Sequence, residues 1–122
     1  MNEFNGKTAV ITGAASGIGL ALAKHAAAQG MNMVLADIDE AALLAATEQL
    51  NLPADRVLAL RIDVRHAAEI KSLADAAYSK FNAVHLLFNN AGVALARTTW
   101  EHTVADWEWV LQVNLWSVVH GI

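Results

Sequence analysis

The 122-residue chain has no cysteine, one proline, one tyrosine and only 16% charged residues. Without cysteine it can build neither a disulfide framework nor a thiolate metal site. Its histidines, at 25, 66, 85, 102 and 120, are scattered, with no metal-ligand spacing and no supporting carboxylate, so no metal is expected. Basic residues are in the minority, eight Lys and Arg against twelve Asp and Glu, for a net charge of −4. That balance provides no field to attract nucleic acid or an anionic membrane, and neither is expected as a partner. No uninterrupted apolar run approaches the roughly 18 residues of a membrane span. The start, Met1-Asn2-Glu3-Phe4-Asn5, lacks the charged and apolar regions of a signal peptide. A reducing, cytoplasmic compartment is the expectation.

Apolar residues, by contrast, make up 56% of the chain. Such a composition suits a fold buried on many faces and argues against disorder. The length suits one domain. Apolar runs alternate with helix-forming segments: strands over 7–12, 32–37, 57–63 and 85–89, and helices over 17–28, 40–50 and 67–81. Gly30 fits a stop for the first helix, and Pro53 one for the second. Ile70, Leu73, Ala74, Ala77 and Phe81 recur at helical spacing in the third. A loop from Asn90 leads to a further helix starting near Val104. Strands alternating with helices imply right-handed crossovers and a parallel sheet. The expected architecture is α/β, the first half of a doubly wound sheet with strand order 3-2-1-4.

The chain is organised around Thr12-Gly13-Ala14-Ala15-Ser16-Gly17-Ile18-Gly19, which follows the run Thr8-Ala9-Val10-Ile11 and opens an alanine-rich helix. Strand, glycine turn and helix form the context in which such a pattern binds phosphate. A helix N-terminus presents unpaired N–H groups and a partial positive charge. Glycines let backbone and ligand approach closely. A pyrophosphate would sit over Ser16, Gly17 and Ile18. The spacing is G-x-x-x-G-x-G rather than G-x-G-x-x-G, and no Lys follows Gly19, which excludes a Walker A loop.

This T-G-x-x-x-G-x-G spacing resembles the short-chain dehydrogenase/reductase family. Asp63-Val64, Asn89-Asn90-Ala91-Gly92 and Asn114 in Val113-Asn114-Leu115 match the same family in order along the chain. The resemblance runs from Lys7 to the end and implies a Rossmann-like NAD(P)-binding domain over 1–122, incomplete at its C-terminus. It also implies an oxidoreductase that transfers hydride to or from an alcohol or carbonyl. Asp63 would accept the adenine amino group and Val64 contribute its backbone. Asn90, Ala91 and Gly92 would line the adenosine ribose and pyrophosphate, with Asn89 mainly structural.

Asp37 ends the second strand, where an acidic group accepts both ribose hydroxyls and repels a 2′-phosphate. Ile38 follows it, and the glycine turn carries no basic residue, so the expected cofactor is NAD, with NADP less favoured. Asp39 fits a cap on the second helix.

Asn114 matches the family's catalytic Asn, at a kink that holds a relay water. One stripe of its helix reads Trp107, Leu111, Asn114, Val118, which places Asn114 within a buried face. A second stripe reads Trp109, Val113, Trp116, His120. Two apolar faces call for two coverings, the sheet and a partner helix. The resemblance implies that the partner helix comes from another subunit, since family members commonly pair through this region, so a homo-oligomer through the helix 104–121 is expected. Trp100, Glu101 and His102 read as a helix-entry segment.

The family's acid/base pair is Tyr and Lys spaced Y-x-x-x-K. The one tyrosine, Tyr78, is followed four residues later by Asn82. The pair is thus absent, and the chain alone is expected to be inactive. The other readings are a non-catalytic dinucleotide-binding module or remnant, and a methyltransferase, which the turn spacing and Asn89 to Gly92 disfavour.

Overall fold

A computed structural model describes residues 3–122. Four strands, β1 (Thr8–Thr12), β2 (Asn32–Asp37), β3 (Val57–Arg61) and β4 (Leu86–Phe88), form one parallel sheet in the order β3-β2-β1-β4. This is the expected half of a doubly wound, Rossmann-like fold. Helices α1 (Gly17–Ala28), α2 (Glu40–Leu50) and α3 (Ala67–Phe81) make the crossovers. After β4 come α4 (Val104–Leu111), a π-turn (Gln112–Trp116) and α5 (Ser117–Gly121).

Helices on both faces explain why β1 is buried at every position. Ala9, Ile11, Met33 and Leu35 face Ala23 and Ala26 of α1 and Leu43 of α2. Val10, Val34 and Ala36 face Ile70, Leu73 and Ala77 of α3 together with Val113. Ala74, expected on that face, is exposed. Among the described residues no helix is long and apolar enough to cross a membrane.

Helix ends follow local chemistry. The Asp39 carboxylate accepts the Ala42 N–H at 3.0 Å and caps α2. That helix stops at Asn51, which takes the left-handed conformation with φ 48°, two residues before Pro53. Gly30, φ 83°, ends α1 as expected.

β2 has the expected bounds, whereas β1, β3 and β4 are shorter than the apolar runs suggest. The Ile62 N–H still donates to the Asp37 carbonyl, but the Asp63 N–H turns to the Glu69 carboxylate at 2.6 Å, so β3 ends before Asp63. At β4 the His85 ring nitrogen, rather than a carbonyl, accepts the Thr8 N–H at 3.0 Å.

The last helix departs most from expectation. A π-turn adds one residue to an α-helix and rotates the downstream residues by roughly 100°. Trp109, Val113 and Ser117 therefore face the fold, whereas Trp116 and His120 swing outward and stack on one another at 6.0 Å. Asn114 is exposed and not part of a buried face. Trp107, Leu111, Leu115 and Val119 are each about half exposed, at 44–50%.

Candidate cofactor site

The ends of β1 and β4 are tied together by Thr12 and Asn90. The Thr12 hydroxyl oxygen accepts the N–H groups of Asn90 and Ala91, each at 3.1 Å. The Asn90 amide donates to the Thr12 carbonyl at 3.0 Å and the Gly13 carbonyl at 3.3 Å. Asn90 thus ties the two strand ends together. The Asn89 side chain instead packs so closely on Gly121 that a Cβ there would overlap it.

Two glycines of the turn are required by contact. Gly13 has φ 65°, and a Cβ on it would lie 2.9 Å from the Ala91 Cα. A Cβ on Gly19 would run into the Gly13 carbonyl oxygen and come within 2.6 Å of the Asn90 amide nitrogen. Gly19 is buried and lets α1 start against the β1 end. Ser16 is the N-cap of α1, and its hydroxyl caps no N–H of the helix. The first intrahelical bond runs from the Leu20 N–H to the Ser16 carbonyl at 3.1 Å. The N–H groups of Gly17, Ile18 and Gly19 therefore precede the ladder, and the first turn is open to an anion.

Asp37 stands across from this turn. One carboxylate oxygen accepts the Ala15 N–H at 3.0 Å, and the other accepts the Asp39 N–H at 3.1 Å. Each oxygen keeps capacity for a further donor. Ile38 beside it is half exposed and uncharged.

Asp63, only 5% exposed, is chelated by Arg65. The guanidinium reaches both carboxylate oxygens, at 2.6 Å from Nη2 and 3.0 and 3.1 Å from Nε. The Arg65 backbone N–H adds a further bond at 3.0 Å. The Arg65 side-chain hydrogen bonds hold the Asp63 carboxyl below the usual aspartate range, against the opposing effect of burial.

These parts enclose one cleft of about 500 Å³. It brings together Gly13, Ser16, Gly17 and Ile18 from the turn, Asp37 and Ile38 from the β2 end, Asp63 and Val64, and Asn90, Ala91 and Gly92. Thr12 and Gly19 support the wall without lining the cleft. Ile62, Arg65, Val93, Trp109 and Val113 also line it and escape a reading of the sequence as site residues. The i, i+4 spacing of Trp109 and Val113 gives only a packing face. Arg65 is legible only as a partner for Asp63.

Asn114 is not in the cleft. It sits in the π-turn and clasps the backbone of Val93, accepting its N–H and donating to its carbonyl, both at 2.8 Å. It therefore anchors the segment after Gly92 from behind. Trp100, Glu101 and His102 also lie outside the cleft. The Thr98 and Glu101 side chains cap a short 3₁₀ turn there, ahead of α4.

A family model described as short chain dehydrogenase matches residues 7–122. A short-chain dehydrogenase/reductase from Burkholderia phymatum, solved in complex with NAD, superimposes with a TM-score of 0.94 at 50% identity. The match covers 99% of this chain and 43% of that one. A CLA biosynthesis dehydrogenase/reductase of Lactiplantibacillus plantarum is 38% identical over 122 residues, covering 100% of this chain and 43% of the relative. A cyclohexanol dehydrogenase of Acinetobacter is 34% identical, covering 99% and 49%. The fold and these matches define the first half of a doubly wound α/β domain. The chain belongs to the short-chain dehydrogenase/reductase family. It spans 43% to 49% of the length of the curated relatives named above.

Proposed function

We propose that the cleft binds NAD and that the chain is the cofactor-binding half of an oxidoreductase acting on an alcohol or carbonyl substrate. The observation that carries this reading is the open first turn of α1, seated against β1 by Gly13 and Gly19, with the Asp37 carboxylate facing it. The N–H groups of Gly17, Ile18 and Gly19 would hold the pyrophosphate. Asp37 would accept the ribose hydroxyls of the adenosine. Val64, Ala91 and Gly92 would line the adenosine end. NAD is favoured over NADP because a 2′-phosphate would meet Asp37, and among the described residues no unpaired Lys or Arg lines the cleft. Arg65 lines the cleft but is already paired with Asp63.

Bound NAD supplies the hydride acceptor. The chain's own contribution is to hold and orient it, with Asn114 fixing the Val93 segment that continues from the cleft wall. In the catalytic role the family implies, Asn114 would take part in a proton relay. The acid/base partner is not provided by Tyr78, which lies half exposed on α3 with Asn82 four residues on. Without a Tyr-x-x-x-Lys pair to exchange a proton with the substrate oxygen, the chain alone has no turnover. Pairing of two copies through the exposed apolar side of 104–121 fits Trp107, Leu111 and Leu115. A cytoplasmic location suits a chain with no cysteine.

The second reading, a dinucleotide-binding module without catalysis, is favoured by that same missing pair. Spectrophotometric assay with NADH and cyclohexanone tests the proposal. No oxidation above the buffer rate is expected from this chain. Turnover by the chain itself would contradict the assignment of the missing acid/base.

A further inference from the structure

We propose that Asp37 is a positioning residue for the phosphate-binding turn: its carboxylate tethers Ala15, so that the anion-binding end of the cleft depends on Asp37 even for ligands that never touch it. This rests on the reading of the cleft as a dinucleotide site. It goes beyond the ribose contact, which gives Asp37 a role toward the ligand alone.

The turn needs a tether. Gly13 and Gly17, with φ 65° and 53°, both take the left-handed conformation, and they bracket Ala14, Ala15 and Ser16. Glycines so close together leave the segment many conformations to lose. Two bonds hold it to the end of β2. The Ala14 N–H donates to the Ala36 carbonyl at 3.1 Å, and the Ala15 N–H donates to Asp37 Oδ2 at 3.0 Å. The first joins main chain to main chain. The second exists only because residue 37 carries an acceptor on its side chain. Beyond Ala15 the Ser16 hydroxyl caps no N–H of the helix, and Ser16, Gly17 and Ile18 are exposed. The ladder of α1 begins with the Leu20 N–H on the Ser16 carbonyl. Ala15 is therefore the last fixed point before the N–H groups assigned to the pyrophosphate. Asp37 is itself held in place, since Oδ1 accepts the Asp39 N–H at 3.1 Å at the N-cap of α2. The carboxylate thus bridges the entry of α2 to the turn that precedes α1, with one oxygen for each.

Removing this carboxylate has two effects on a bound anion, and they differ in sign. Asp37 lines the same cleft as the turn, so loss of its negative charge favours an anion there. Loss of the tether leaves a turn that must be ordered when the anion binds, which opposes binding. A ligand without ribose hydroxyls separates the two roles. If Asp37 serves the hydroxyls alone, such a ligand binds the Asp37→Ala variant as well as wild type or better. If Asp37 tethers the turn, it binds the variant worse.

The test is fluorescence titration of the 122-residue chain with NADH and with an analogue whose adenosine ribose is 2′,3′-dideoxy and has no hydroxyl to offer Asp37. Asp37→Ala should weaken the analogue by about fivefold, and NADH by more. Hydrogen exchange should quicken at the Ala15 amide while Val10 in β1 keeps its protection, which separates a loosened turn from a loosened fold. Asp37→Ser leaves a short acceptor for the neighbouring Asp39 N–H but not for Ala15, and it carries the test if circular dichroism shows that Asp37→Ala does not fold. Analogue affinity unchanged or raised in the variants overturns the proposal and leaves the ribose contact standing. An Ala15 amide unprotected in wild type also overturns it, as does exchange that quickens equally at Val10. Binding of neither dinucleotide by wild type refutes the cofactor reading itself.

Discussion

Thr12 and Asn90 bond one another reciprocally across the ends of β1 and β4. The Thr12 hydroxyl oxygen accepts the Asn90 N–H at 3.1 Å, and the Asn90 amide returns to the Thr12 carbonyl at 3.0 Å. The same hydroxyl accepts the Ala91 N–H. Thr12→Val keeps the shape but leaves two N–H groups without an acceptor. The variant should lose about 2 kcal/mol of stability, read from the midpoint of urea unfolding. An unchanged midpoint would mean that water replaces the hydroxyl without cost.

The glycines of the turn should separate by mechanism. Gly19→Ala drives a Cβ into the Gly13 carbonyl and the Asn90 amide, so it disturbs the wall itself. Gly17 has φ 53° but open space around a Cβ. Gly17→Ala should cost about 1 kcal/mol of backbone strain. Gly19→Ala should cost more, by thermal or urea unfolding. The opposite ranking would show that the contacts at Gly19 relax freely.

Much of this arrangement is legible in the sequence because it depends on local patterns. Continuous apolar runs give buried parallel strands, and the turn between β1 and α1 follows from Gly13, Gly17 and Gly19. The features that are not legible depend on side chains meeting in space. Asn89 and Asn90 are identical in type, and only their directions at the end of β4 decide which one ties to Thr12. Arg61 and Arg65 flank Asp63 symmetrically, yet Arg65 takes it because the chain turns there. The π-turn leaves no periodic mark of its own. By adding a residue to one turn it exposes Asn114 and shifts Trp116 and His120 off the face that their spacing assigns them.

Asp63 gives a signed pH dependence. Its carboxyl is held below the usual range, mainly by the Arg65 hydrogen bonds. The ionised form is therefore favoured more in the folded chain than in the unfolded one. Its contribution is present above the unfolded aspartate value, about 3.9. It is lost as pH falls through the lower folded value. Asp63→Asn should flatten part of the acid limb in a plot of urea midpoint against pH. An acid limb identical to wild type would contradict the pairing.

Asn114 should act on the segment it clasps. Asn114→Ala removes both 2.8 Å bonds to Val93. Because the pair is exposed, the global loss should be about 1 kcal/mol or less. Hydrogen exchange at the Val93 amide should nonetheless accelerate clearly, with little change in β1. Unchanged exchange at Val93 would show that the clasp does not order this segment.

The cofactor assignment is tested most directly by a paired fluorescence titration of this chain with NADH and NADPH at fixed salt. Asp37 at the β2 end, next to Ile38, predicts saturable NADH binding at least about tenfold tighter than NADPH binding. Asp37→Ser should narrow that gap. NADPH binding as tight as NADH, or no saturable binding of either, would contradict the assignment of the cleft.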